Sequence, residues 1–393
     1  MISFDEAAAL VLQTAQPLGA ETIPVADAAG RVLAAPVIAV CDSPRTAVSA
    51  MDGYAVAGAP VVGRRLTVIG ESFPGSGFDG AVGADDAVRI FTGAPVPHGA
   101  DRVVMQENVR REGDVAEIVD AGSAATHVRA QASDFHAGDQ LLTAGRRLDF
   151  RAMVAAGGAD RAEVDVVRRP RVLVLGTGDE LYEPGSAHLT RFGIPESVSL
   201  GVEALAAAWG GEPLGRIRLA DDLPALKHAA REALEAADVV VVTGGASVGE
   251  RDFARAMFED CGLELIFSKV EMKPGKPVWL GRAMERLVLG LPGNPSSAMV
   301  TARLFLAPLL AGLAGLEPKA ALAWRDATLA APLSATGDRE TFHRARATAA
   351  GALPAADQDS GSQKTLAEAD LLIRRRAGAP AVATGEIAEV LDF

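Results

Sequence analysis

Residues 238–252, DVVVVTGGASVGERD, pass from an apolar run into glycines and then toward the charged start of a helix. The four valines at 239–242 are β-branched and carry no polar alternation, which suits a strand covered on both faces inside a parallel sheet. Gly244, Gly245 and Gly249 let the backbone turn tightly and approach a ligand, while Ser247 and the amides ahead of a helix near Arg251 can face an anion. A ligand site at the carboxyl end of a central strand is one reading. An ordinary strand-to-helix connection is the other, and the flanking sequence has to decide.

Upstream, residues 172–175 read as a buried strand running into Gly176-Thr177-Gly178-Asp179-Glu180-Leu181. A helix is expected over 199–209 and a strand over 215–219, after which Asp221-Asp222-Leu223-Pro224 opens a second helix. Its apolar positions, Leu223, Leu226, Ala230, Ala233, Leu234 and Ala237, keep the 3.6-residue period. One aspartate there serves as a cap with Pro224 in the first turn, and the second is surplus to capping. Downstream, the pattern predicts a helix over 252–261 and a strand over 263–270 that leads into Lys269-Val270-Glu271-Met272-Lys273-Pro274-Gly275-Lys276-Pro277. Lys269, Glu271 and Lys273 share one face if the strand persists. A strand over 286–290 ends in Leu291-Pro292-Gly293-Asn294-Pro295, where Asn294 can cap and Pro295 can start a long helix, presenting its N-terminus to an anion. Strands alternating with helices make a doubly wound α/β domain over 170–316, with ligand loops gathered along one sheet edge.

The rest of the chain reads as three further units. Residues 1–41 begin with a helical pattern continuing to a glycine stop at Gly30, and together with 139–169, which carry a helix over 150–159, they form an N-terminal domain of mixed helix and strand. Residues 42–138 change texture to short β-branched runs at 66–69, 87–91, 102–106 and 117–119, a small inserted β domain. Residues 317–393 suggest a small β-barrel. Within the inserted domain Asp52, Thr92 and Asp134 stand where strand formation does not require polar residues, although Asp52-Gly53 alone also reads as a hairpin turn.

At 393 residues the chain needs more than one core. Hydrophobic residues make up 49% and aromatics 5%, so those cores rest on Ala, Val and Leu. A net charge of −13 argues against nucleic-acid binding, so an anionic ligand must meet locally placed cations. Cys41 and Cys261 are the two cysteines, without a CxxC, and the six histidines show no tight ligand spacing; surface or capping roles are expected for the latter. The acidic N-terminus has the wrong charge for a signal peptide, and the longest lipid-like run, 304–316, is shorter than the roughly 20 residues a span needs. A cytoplasmic protein without membrane or nucleic-acid partners is expected.

Carboxylates at Glu180, Asp221 and Asp252 beside Lys269, Lys273 and Lys276 form the hard-oxygen and cation mixture that suits Mg²⁺ and a phosphate ester or inorganic oxyanion. Asp252 also reads as a plain helix cap, and the lysines as a solvated strand edge. Taken jointly and in order, Ser49-Ala50-Met51-Asp52-Gly53-Tyr54-Ala55, Thr92-Gly93, the 176–181 and 243–249 loops, Lys273-Pro274-Gly275-Lys276-Pro277 and Leu291-Pro292-Gly293-Asn294-Pro295 resemble the molybdopterin molybdenumtransferase (MoeA) family, whose eukaryotic counterpart is a domain of gephyrin. The resemblance implies a homodimer whose cleft is shared between subunits. It implies insertion of molybdate into adenylylated molybdopterin with Mg²⁺, releasing AMP, and as partners the molybdopterin adenylyltransferase and molybdoenzyme chaperones.

By the same resemblance Glu180, Asp221 and Asp252 serve metal and catalysis, and Lys269 and Lys273 hold the oxyanion. Thr177, Gly244, Gly245, Ser247, Gly249, Lys276, Pro292, Asn294 and Pro295 shape the substrate pocket, and Asp52, Thr92 and Asp134 come from across the dimer. One departure stands out: where the family carries Asp-(Ser/Thr)-Asn, this chain has Glu196-Ser197-Val198. A catalytically weak or silent cofactor-binding scaffold is therefore the alternative.

Overall fold

A computed structural model of the chain describes residues 1–244 and 253–393. The valine run is a fully buried strand in a six-stranded sheet. The strands of that sheet are β1 (Arg171–Thr177), β2 (Glu212–Leu219), β3 (Val239–Thr243), β4 (Glu264–Ser268), β5 (Trp279–Ala283) and β6 (Arg286–Leu291), in the order β2-β1-β3-β6-β5-β4. The first four run parallel, whereas β5 is antiparallel to both of its neighbours. Helices α1 (Val198–Ala208), α2 (Leu223–Ala236) and α3 (Pro295–Leu313) complete the unit. Alternate strand residues explain the unbroken apolar run. Val172, Val174, Val239 and Val241 join Val202 of α1 and Leu309 of α3 in one core. Leu173, Leu175, Val240 and Val242 pack with Leu226 and Ala230 of α2 in another, so both faces are covered.

Helix α3 starts at Pro295 as expected, and Ser296, Ser297 and Thr301 in its first turns are all buried. By length and composition it could cross a membrane, but 94% of it is buried inside this protein. Its middle, Ala302–Leu306, is a π-helical turn. Pro308 follows, and its missing N–H breaks the regular ladder there.

The helix Phe4–Thr14 is closed at its start by a capping box between Ser3 and Glu6. It does not join the 139–169 segment as expected. Phe4, Ala7, Ala8 and Val11 pack into the central core, with the Phe4 ring 5.7 Å from Phe305 and 4.8 Å from Phe342. Nor does helix continue to Gly30: Ala20–Pro24 is a strand paired antiparallel with Glu163–Val167. That pairing, with Leu33, Leu148, Ala152 and Val166 in one small core, ties 20–41 to 139–169.

The inserted segment forms a six-stranded sheet containing Gly53–Val56, Arg65–Ser72, Asp86–Ile90, Arg102–Met105, Val109–Glu112 and Val115–Ile118. In the last segment Arg325–Thr328, Ile387–Asp392, Leu371–Arg375, Glu340–Thr348 and Gly351–Pro354 pair in succession. A bridge from Leu329 to Ala352 closes the ring, which makes it a small barrel.

Candidate functional site

In the central sheet β1 sends the chain outward to β2 on one side, and β3 lies on the other. The crevice beyond the carboxyl ends of β1 and β3 is therefore the switch point of the topology. A cavity of about 540 Å³ opens there, lined by Thr177, Gly178, Glu180, Asp221, Thr243, Gly244, Pro292, Asn294 and Pro295 among others. Residues from four loops, spread over more than a hundred positions of sequence, meet at one hollow.

Close backbone approach explains the glycines. Gly244 has φ +89°, and a Cβ there would lie 2.4 Å from the Thr177 carbonyl oxygen. The Cα of Gly244 also lies 3.4 Å from where a Cβ on Gly293 would sit, so the loops after β3 and β6 touch. The Thr177 hydroxyl donates to the Thr243 carbonyl at 3.3 Å, joining β1 to β3 at the floor. The Asp221 amide donates to Asp179 Oδ1 at 3.0 Å, which pins the Asp221 loop to the loop carrying Glu180. Asp179 thus positions a neighbour, a role that depends on strands β1 and β2 being adjacent.

Glu180 and Asp221 present two carboxylates to the same cavity, a hard-oxygen donor set that fits Mg²⁺. Asp252, expected as the third, lies outside the described residues, as do Gly245, Ser247 and Gly249. Among the described residues no group of three or more His, Cys, Asp or Glu is arranged for a metal ion.

Two expectations change here. The Asn294 side chain does not cap α3; its amide donates to Ser360 Oγ at 2.9 Å. The α3 N-terminus is also not open to an anion, because the Ser296 amide donates to the Ser360 carbonyl at 3.0 Å and the Ser296 hydroxyl to the Ser362 carbonyl at 2.8 Å. A loop of the C-terminal barrel occupies it, and Gln363 from just beyond that loop lines the cavity. Glu196, Ser197 and Val198 complete the wall. Glu196 is buried as a cap for α1, accepting from the Ser199 amide at 3.0 Å, with Arg216 3.6 Å away as its counter-charge.

The lysines stand beside the cavity rather than in its lining. Lys269 ends β4 with φ +62°, so the strand does not persist. Even so, Lys269, Glu271 and Lys273 are exposed while Val270 and Met272 are buried, and the three share a face. Lys273 pairs with Thr341 of the barrel strand Glu340–Thr348, and Pro277, next to Lys276, reaches the cavity. Behind them lies a cationic group that sequence reasoning missed. Arg344 is fully buried, bonded to Gln358 Oε1 and to the Asp359 carbonyl, and its Nη2 has no partner among the described residues. His343 is not the surface residue expected of the histidines. Burial, reinforced by the charges of Arg375, Lys273 and Arg344, pushes its imidazole down to about 4.

On the inserted domain, Asp52 Oδ1 accepts from both the amide and the hydroxyl of Thr92 at 2.8 Å. The Thr92 amide, then its hydroxyl, holds this carboxyl below the usual range. Asp134 is exposed, with its amide donating to the Ser43 carbonyl at 3.0 Å. None of the three lines the cavity of its own chain.

Residues 2–158 match the MoeA N-terminal region (domain I and II), 173–312 the probable molybdopterin binding domain, and 326–393 the MoeA C-terminal region (domain IV). The molybdopterin molybdenumtransferase of Haemophilus influenzae is 35% identical over 80% of this chain and 78% of its own length. That of a Nostoc species is 35% identical over 73% of this chain and 68% of its own. The Staphylococcus aureus enzyme of that name is 29% identical over 99% and 95%. Among solved structures, a molybdopterin biosynthesis MoeA protein from Pyrococcus horikosii superposes with a TM-score of 0.84 at 27% identity, covering 99% of this chain and 98% of that one. The loops that meet at the cavity are thus set in a fold and a sequence shared from end to end with these proteins, and the chain belongs to the molybdopterin molybdenumtransferase (MoeA) family.

Proposed function

We propose that this chain is the molybdenum-inserting enzyme of molybdenum cofactor biosynthesis, acting in the cytoplasm on adenylylated molybdopterin and molybdate and releasing AMP. The observation that carries the reading is the cavity at the switch point, where Glu180 and Asp221 face the backbone of Thr177, Gly178 and Gly244. Mg²⁺ held by these carboxylates supplies positive charge to the substrate's phosphate. The glycine-lined backbone admits that phosphate closely, and Asp179 holds Asp221 in place. Lys269, Lys273 and Lys276, with the buried Arg344 beyond them, supply the positive potential a dianionic oxyanion needs in a chain of net charge −13.

Asp52, Thr92 and Asp134 reach this cleft from a second subunit. Phe150 and Val154, on the helix Phe150–Gly158, are 80% and 76% exposed, an apolar pair that a homodimer would cover. The molybdopterin adenylyltransferase supplies the substrate, and molybdoenzyme chaperones receive the product. A second reading, a silent scaffold that binds the pterin without turnover, is favoured by one observation: apolar Val198 lines the cavity where the family pattern has an amide side chain.

One assay separates the two. Purified protein mixed with adenylylated molybdopterin, molybdate and Mg²⁺ releases AMP and forms cofactor under the first reading. Under the second it binds the substrate and releases nothing, and Val198→Asn would then restore release.

A further inference from the structure

Next to Asp52 and Thr92 the inserted domain carries an aromatic stack whose outer face is uncovered. The rings of Phe73 and Phe91 lie parallel, 4.6 Å apart and 12° from coplanar. The Arg89 guanidinium sits 4.8 Å from the Phe91 centroid and is itself held by the Gly53 carbonyl and Gln106 Oε1. The Ser72 hydroxyl, buried and bonded to the Pro95 carbonyl at 2.8 Å, fixes the end of the strand that delivers Phe73. The amides of Ser76 and Gly77 both donate to the Phe73 carbonyl, so the turn is fastened on its far side too. Even so, Phe73 is 43% exposed. Part of this rigid phenyl therefore stays open to water, where a flat ring can stack on it.

We propose that Phe73 is a substrate-binding residue, on whose open face the bicyclic ring of a pterin stacks while its N–H groups donate to Asp52. Asp52 Oδ1 is engaged by Thr92, but Oδ2 has no hydrogen-bond partner among the described residues. A pterin presents an exocyclic amino group beside a ring N–H, two adjacent donors that both suit the open Oδ2. An adenine ring places an acceptor nitrogen beside its amino group and matches a carboxylate poorly. The site therefore selects the pterin end of an adenylylated molybdopterin rather than its nucleotide end. This inference rests on the proposed function for the identity of the substrate, and it adds which ring the inserted domain holds and by which residue.

The test uses full-length protein and 6-hydroxymethylpterin as probe, read by quenching of pterin fluorescence, with AMP as the competing ligand. Phe73→Ala is expected to weaken pterin binding about tenfold, the scale of losing one aromatic stacking partner, and to leave AMP binding unchanged. Phe73→Trp keeps the affinity. In turnover, Phe73→Ala raises KM for adenylylated molybdopterin by a similar factor while kcat holds, a split that a merely structural role would not produce. No quenching by the unsubstituted protein, unchanged pterin binding in Phe73→Ala, or loss of AMP binding in its place overturns the inference. If the unsubstituted protein binds pterin through Phe73 yet releases no AMP, the enzyme reading fails and this one stands. Turnover with KM unmoved in Phe73→Ala does the reverse.

Discussion

Asp238 sits at the amino end of β3, 4% exposed, and accepts hydrogen bonds from the side chains of Arg168, Arg171 and Arg286 as well as from the Arg171 amide. Burial works against its charged form, but the arginines and the amide outweigh it and hold the carboxyl at about 2. Because that is below the unfolded value near 3.9, the stabilisation is present above pH 4 and is lost as pH falls from about 4 to about 2. Asp238→Ala is expected to destabilise by about 3 kcal/mol, the low end for breaking a buried pair because the guanidinium groups are about a third exposed. Urea denaturation at pH 7 measures it. His343 behaves oppositely in kind. Its imidazole stays neutral down to about 4 when folded, while in the unfolded chain it takes up a proton near 6.5. Stability should therefore fall as pH drops from about 6.5 to about 4 and flatten below, and His343→Gln should flatten that window in melts across pH. Neither role was legible in the sequence, where Asp238 was the edge of a valine run and His343 one of six unclustered histidines. Both follow from which strands lie beside them.

Among the elements, the loops show where local pattern suffices. The glycine after a buried strand announced a tight turn at Gly244, and the turn is there with φ +89°. Gly244→Ala would meet the Thr177 carbonyl and adopt an unfavourable backbone, so a loss of about 1–3 kcal/mol is expected, with turnover reduced further because the cavity floor moves. Comparing the shift in Tm with kcat checks both parts. Helix α3 shows where pattern falls short. Its start at Pro295 and its apolar character were visible, but not its π turn. Arg303, inside that turn, bonds the Ala321 and Asp392 carbonyls and lies 4.8 Å from the Trp209 ring. Arg303→Leu leaves those carbonyls without their charged donor. It should cost about 2–3 kcal/mol in urea denaturation and loosen the barrel's contact with α3.

At the scale of the molecule, the proposed cleft draws on two subunits. Asp52→Ala and Glu180→Ala would each be inactive alone. Subunits exchanged at random would form half mixed dimers, each with one intact cleft of two, so about a quarter of the original turnover should return. AMP release from the exchanged mixture measures this, and no recovery would place both residues in one chain's site. Phe150→Glu should yield a monomer by light scattering and abolish turnover, since the cleft would be left half built.

By itself the sequence determined most strands and helices of the central domain, though not the antiparallel β5, because strand burial, helix period and the Gly-Pro punctuation between them are properties of a few adjacent residues. It also determined the family, since the motifs occur in order along the whole chain. Only the tertiary structure decided that Phe4–Thr14 belongs to the central core, that Ser360 occupies the α3 N-terminus, and that a buried Arg344 and a neutral His343 lie beside the lysine face. Those outcomes depend on surfaces supplied by residues far away in the chain, and the free energy of such contacts is not written in local periodicity.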